Sequence, residues 1–166
     1  MTRGSTSARK DRGRERIFWI GLAVIGVGVF IALILMAGRE ESPRRSDHWH
    51  ARYQVIICGV PRPQFPFTRG GIHTHGDGVI HIHPENRSEM GRNANLRRFF
   101  ESAGAVFARD RIELPDGTRH RNGDRCPDGS PGMLRLQVNG RPSDAYERYV
   151  PRDSDTVVVE FGPPAR

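Results

Sequence analysis

Residues 71–83 read GIHTHGDGVIHIH. Two alternating runs flank Gly76-Asp77-Gly78, a compact turn signal, and the stretch is predicted to be a β-hairpin. Strand alternation puts residues i and i+2 on the same face. If Ile72, Thr74, Ile80 and Ile82 share a buried face, facing positions must have an even sum. A three-residue loop over 76–78 meets this condition, pairing 75 with 79 and 73 with 81. A two-residue Asp77-Gly78 turn would pair 75 with 80 and set His73 and His75 beside Ile80. Burial of the isoleucines selects the first register. It gathers His73, His75, His81 and His83 on the opposite face, with His73 facing His81.

Directly opposed side chains on a ladder have Cβ atoms about 4.5–5.5 Å apart. Imidazoles that close can share one ion, with nitrogen–metal bonds near 2.0–2.1 Å for zinc. His48 and His50 form a third His-x-His pair upstream, so six of the seven histidines lie between 48 and 83. The expected metal face is therefore His73, His75, His81, His83, His48 and His50. Copper, zinc or nickel is the expected ion, because imidazole suits these metals. Asp77 and Glu85 can supply an oxygen ligand or accept an imidazole N–H. Protonated together, these rings would repel, so either a metal or a depressed pKa is expected. Without an ion, exposed histidines on a solvated strand face need no role. His120, alone in an Arg-rich loop, is expected to be a surface residue.

Around the hairpin the pattern is mixed. Residues 53–57, YQVII, read as a strand. Pro61, Pro63 and Pro66 make 59–71 a loop, with Phe65 and Phe67 expected to pin it to the core. Residues 93–103 read as a helix capped by Asn93 and ended by Gly104. Leu96, Phe99, Phe100 and Ala103 form its buried stripe. Residues 105–107, 111–114, 133–138 and 156–161 are further strand candidates. The expected class is α+β: a small mixed or antiparallel sheet with one packed helix, following one N-terminal transmembrane helix.

That transmembrane expectation comes from residues 17–36, IFWIGLAVIGVGVFIALILM, which hold no charge. As one helix they would span about 30 Å, the thickness of a bilayer's hydrocarbon core. The net charge of +7 is concentrated before them: residues 1–16 carry six basic against two acidic side chains. By the positive-inside rule, the N-terminus is expected in the cytoplasm and the C-terminal domain outside, in a single-pass cell-membrane protein. A cleaved signal peptide is the competing reading, with Leu35-Met36-Ala37 as a poor cleavage site. The expected division is a basic tail 1–16, a span 17–37, a linker 38–47, an extracytoplasmic domain 48–162 and a tail 163–166. The lipid bilayer is then a partner, with a second membrane or extracytoplasmic protein as a further candidate. No nucleic-acid surface is seen, because the basic residues sit beside the apolar run.

Cys58 and Cys126 are the only cysteines. A disulfide, two free buried thiols, and thiolates joining the histidines around copper are all open.

His48-Trp49-His50, Ile57-Cys58-Gly59 and GIHTHGDGVIHIHP at 71–84 together resemble a family of uncharacterised bacterial membrane-anchored proteins with a His-rich domain outside. The resemblance implies a topology and no established activity. LRLQVNG at 134–140, followed by YVPRDSDTVVVEFG at 149–162, is similar to the last two strands of β-grasp domains.

The function expected from these residues is a membrane-anchored metal-binding module acting as a carrier, buffer or assembly factor, without catalytic residues. A metal-free structural or partner-binding domain is the alternative. A small metalloenzyme is the second alternative: His81-Ile82-His83, with Gly78 before and Glu89 after, is similar to the first cupin motif, but its spacing differs and a second motif is missing. No phosphate-binding glycine loop and no nucleophile elbow appears, and the chain is too short for an amidohydrolase barrel.

Overall fold

The computed structural model of the chain describes residues 18–31 and 42–164. Residues 18–31 form helix α1, and Ser42–Arg166 is a separate compact unit. At about 1.5 Å per residue the described stretch covers roughly 21 Å, against about 30 Å of hydrocarbon core. Among the described residues no helix is long and apolar enough to cross a membrane. This corrects the expected 17–37 span and the single-pass localisation drawn from it. Ile17 and residues 32–37, the two ends of that stretch, lie outside the described residues, as does the 1–16 tail.

The compact unit is built on two sheets. In chain order the strands are β1 (Trp49–Ile57), β2 (Val60–Pro61), β3 (Ile72–His73), β4 (Val79–Ile82), β5 (Val106–Ala108), β6 (Arg111–Glu113), β7 (Arg119–Arg121), β8 (Met133–Val138), β9 (Arg141–Pro142) and β10 (Thr156–Gly162). Helix α2 is Leu96–Ser102. The larger sheet has seven strands in the order β3-β4-β1-β10-β8-β9, with β2 paired to β1. Its centre is parallel, β1 lying beside β10 from Arg52↔Thr156 to Ile57↔Phe161. The flanking pairs, β1 with β4 and β10 with β8, are antiparallel. A separate antiparallel sheet runs β5-β6-β7.

The expected class is corrected accordingly. There are two helices among the described residues and no transmembrane span, and the small single sheet is replaced by a seven-stranded mixed sheet and a three-stranded one. The 105–121 region leaves the main sheet because β6 finds its second partner in β7, Arg119-His120-Arg121. Three such polar residues carry no apolar alternation, so the pairing was invisible to pattern reading.

Alternation holds along β1, where Ala51, Tyr53, Val55 and Ile57 are buried while His50, Arg52 and Gln54 face outward. The core beneath holds Leu136, Val157, Val159 and Phe161 from β8 and β10, with Leu96, Phe99 and Phe100 from α2. Tyr53, Phe65, Phe99 and Phe100 interlock at ring separations of 4.8–5.8 Å. Phe65 pins the proline-rich loop as expected, but Phe67 is 60% exposed and does not reach the core.

The start of α2 also differs from expectation. Asn95, not Asn93, is the cap, its side chain accepting from the Arg98 N–H at 3.1 Å. Asn93 is taken up in a 3-10 turn, Gly91–Asn93. The helix ends as predicted at Gly104, φ +74, with the Ala105 N–H reaching back to the Phe100 carbonyl at 2.9 Å. That closure satisfies carbonyls the helix leaves open.

Cys58 and Cys126 form a disulfide with Cα atoms 5.6 Å apart. It ties the end of β1 to the loop after β7. The alternatives of free thiols and copper thiolates are thereby excluded for this state. Closing 68 residues stabilises the fold by about 4 kcal/mol on the chain-entropy model, an upper-side figure.

Candidate metal centre

Three adjacent strands and the residues that flank them carry six of the seven histidines. In the β3–β4 ladder His73 faces His81 and Ile72 faces Ile82, the register of the three-residue loop. Ile72, Ile80 and Ile82 are buried, at 2%, 0% and 0% exposure. The hairpin therefore sits in the even-sum register, and its histidines emerge on the face away from α2. On the other side β4 pairs with β1, setting His50 opposite His81. His50, His81 and His73 thus form one row across three strands.

The remaining rings flank this row. His48 lies against His83 with ring centroids 3.7 Å apart, and His75 stacks on His81 at 4.2 Å. Nε2 of His48 is 3.1 Å from Nε2 of His50, and Nε2 of His73 is 3.0 Å from Nε2 of His75. Two nitrogens on one tetrahedral zinc stand about 3.3 Å apart, given bonds near 2.05 Å. The pairs are already at almost that spacing.

Three sets of ligand atoms lie mutually within 4.8 Å: His48, His50 and His83; His73, His81 and His83; and His75, Asp77 and His81. All six predicted histidines belong to at least one set. Nε2 of His83 is shut off from water and has no hydrogen-bond partner. A buried unpaired ring nitrogen is costly unless something else coordinates it.

Burial and neighbouring charge set the protonation of the rings. Burial first, then repulsion from His48, His73, His81 and His50, pushes the His83 pKa down to about 4. Burial lowers His73 as well, against a hydrogen bond to the Gly70 backbone and with His81 and His75 adding repulsion. Both are neutral at pH 7, and a neutral imidazole keeps a lone pair for a metal. Asp77 Oδ2 lies 3.1 Å from His81 Nε2, and its Oδ1 accepts from the Val79 N–H at 3.1 Å. Partial desolvation opposes ionisation of Asp77, but these hydrogen bonds outweigh it and hold its pKa down to about 2. The carboxylate is ionised and aimed at the face.

Glu85, the other expected carboxylate, is exposed and belongs to none of the three sets among the described residues. It acts on the face as a negative charge that raises the His73 pKa. His120 is far from its expected role as a plain surface residue. It is half-buried and stacks on Phe161 at 4.6 Å, packing the small sheet onto the large one.

Three supporting roles went unread in the sequence. Glu89 is 8% exposed, and its carboxylate accepts from the Gly71 N–H at 3.2 Å and the Glu85 N–H at 2.9 Å. It clamps the entry to β3 against the exit from β4. Asp153 accepts from the His50 N–H at 2.9 Å, fixing β1 where its histidine emerges. Phe67, free of the core, stacks on His75 at 5.8 Å. The Asp153-Ser154-Asp155 run was a legible turn signal; nothing local marked Glu89.

A cleft of about 540 Å³ opens beside the row, lined by His50, Arg52, Val79, His81, Ser154, Asp155 and Thr156. It leaves solvent access to two of the ligand rings.

No protein-family model matches this chain, and neither a curated protein nor a solved structure is significantly similar to it.

Proposed function

We propose that this chain is a transition-metal-binding protein whose histidine face takes copper, zinc or nickel, and that it acts as a carrier, buffer or assembly factor for that ion. The observation that carries the reading is the convergence of six imidazoles and Asp77, from three strands and their flanking turns, into three sets whose ligand atoms each lie within 4.8 Å of one another. Imidazole and carboxylate suit these divalent ions. The neutral state of His73 and His83 supports the same reading, because protons do not compete for their lone pairs at pH 7. Exposure of His48, His50 and His75 favours exchange with a partner protein over permanent burial of the ion.

The test is elemental analysis of the full chain purified without a His tag or added metal, followed by titration calorimetry with copper, zinc and nickel. Affinity well below millimolar for at least one ion is expected. Binding no tighter than millimolar for all three would return the face to a metal-free structural role.

A metalloenzyme is the second reading, and the cleft against His50 and His81 is the observation in its favour. A substrate lying there would reach an open coordination position. Turnover that appears with metal and is lost in R52A, a cleft residue outside the three sets, would favour it.

A further inference from the structure

The three ligand sets overlap in a definite way. His83 belongs to the first and second, and His81 belongs to the second and third. The first set (His48, His50, His83) and the third (His75, Asp77, His81) share no residue. A neutral imidazole has one lone-pair nitrogen, the other carrying a proton, so each ring serves one ion at a time. An ion in the middle set therefore occupies both shared rings and disables both outer sets. An ion in either outer set disables only the middle one.

From this geometry we infer that the face holds two ions at saturation, one at each end, and that the middle set is a transit position rather than a third site. This rests on the metal-binding reading above. His73, the only residue unique to the middle set, is then dispensable for capacity. His81 on β4 and His83 just past its end have ring centroids 6.1 Å apart. An ion released from one end meets the middle set before it meets the other end. Two divalent ions this close repel, so the second binds more weakly than the first. The arrangement suits an ion that arrives at one end and leaves from the other.

The experiment is equilibrium dialysis of the full chain against zinc, with bound zinc measured per chain. Wild type is expected to bind two ions in two unequal steps. H73A is expected to keep two. H48A and H75A, which alter exposed rings and leave buried His81 in place, are each expected to fall to one. H48A/H75A should keep one, in the middle set, and H48A/H73A/H75A should keep none. Circular dichroism of each variant confirms that it is folded. A wild-type stoichiometry of one that is abolished by H73A would overturn the two-ion inference and leave the metal-binding proposal intact. No bound zinc in wild type, and none when copper or nickel replaces it, would overturn both.

Discussion

His81 lies directly opposite His50 in the β1–β4 ladder and directly opposite His73 in the β3–β4 ladder, so one strand presents its histidine to a ring on either side. His81 is only 9% exposed, while His50 is open to solvent. The central ring is thus walled by its neighbours and by Asp77, and its substitution has consequences that an exposed histidine would not have.

His81→Ala should cost one of the two bound ions, leaving only the His48, His50 and His83 set, whereas His120→Ala should leave binding unchanged. His120 instead stacks on buried Phe161, and its loss should lower stability by about 0.5–1.5 kcal/mol, the range of an aromatic pair. Calorimetry and urea denaturation on both variants separate the two effects. Equal losses of binding would mean that the face is not the binding site.

The metal-free protein should lose stability on acidification. His83 titrates near 4 when folded and near 6.5 when unfolded. Below pH 6.5 the unfolded chain takes up a proton that the folded chain refuses, so stability falls with pH. The His83 contribution grows between about 6.5 and 4 and levels off below, where Asp77, held down to about 2, begins to add its own loss. His73, shifted in the same direction as His83, adds to the loss. Urea midpoints at pH 7.5, 5.5 and 4.5 with a chelator present would show the trend, and His83→Asn should flatten it.

Gly71→Ala should destabilise by about 1–3 kcal/mol through overpacking. A Cβ there would collide with Glu89 Oε2 and stand 2.8 Å from the His83 carbonyl oxygen. Glu89→Gln should act in the same direction, because it sets an amide N–H against one of two backbone N–H donors. Both variants should weaken metal binding beyond their cost in stability, since the clamp aligns His73 and His83. Midpoints together with zinc affinities test this, and unchanged affinity in a destabilised but folded variant would refute the clamp.

Replacing both cysteines with serine should lower stability by up to about 4 kcal/mol and leave metal stoichiometry unchanged. The sulfurs are bonded to one another and belong to none of the three ligand sets. A change in bound metal per folded chain on mild reduction would show that a thiol can join the face.

Several features were legible because their causes are local. The period-two alternation of isoleucine and histidine in 71–83, with the parity of a three-residue turn, determined the hairpin register and which face carries His73 and His81. The Leu96, Phe99, Phe100 spacing marked the buried stripe of α2, and Gly104 its end.

The rest depended on contacts between distant residues, which no window of sequence contains. β1 could have paired elsewhere; that it pairs with β4 brings His48 and His50 to His83 and His81, turning a four-histidine hairpin into overlapping ligand sets. Competition for core space left Phe67 outside to pack on His75. Neighbouring cap positions differ little in local chemistry, and the 3-10 turn decided between Asn93 and Asn95. β7, all polar, became a strand because β6 offered it an open edge. Hydropathy alone suggested one helix over 17–37, whereas the described helix covers residues 18–31. Side-chain alternation is encoded residue by residue, but strand pairing is settled by which apolar faces can be buried together, and that is a property of the whole fold.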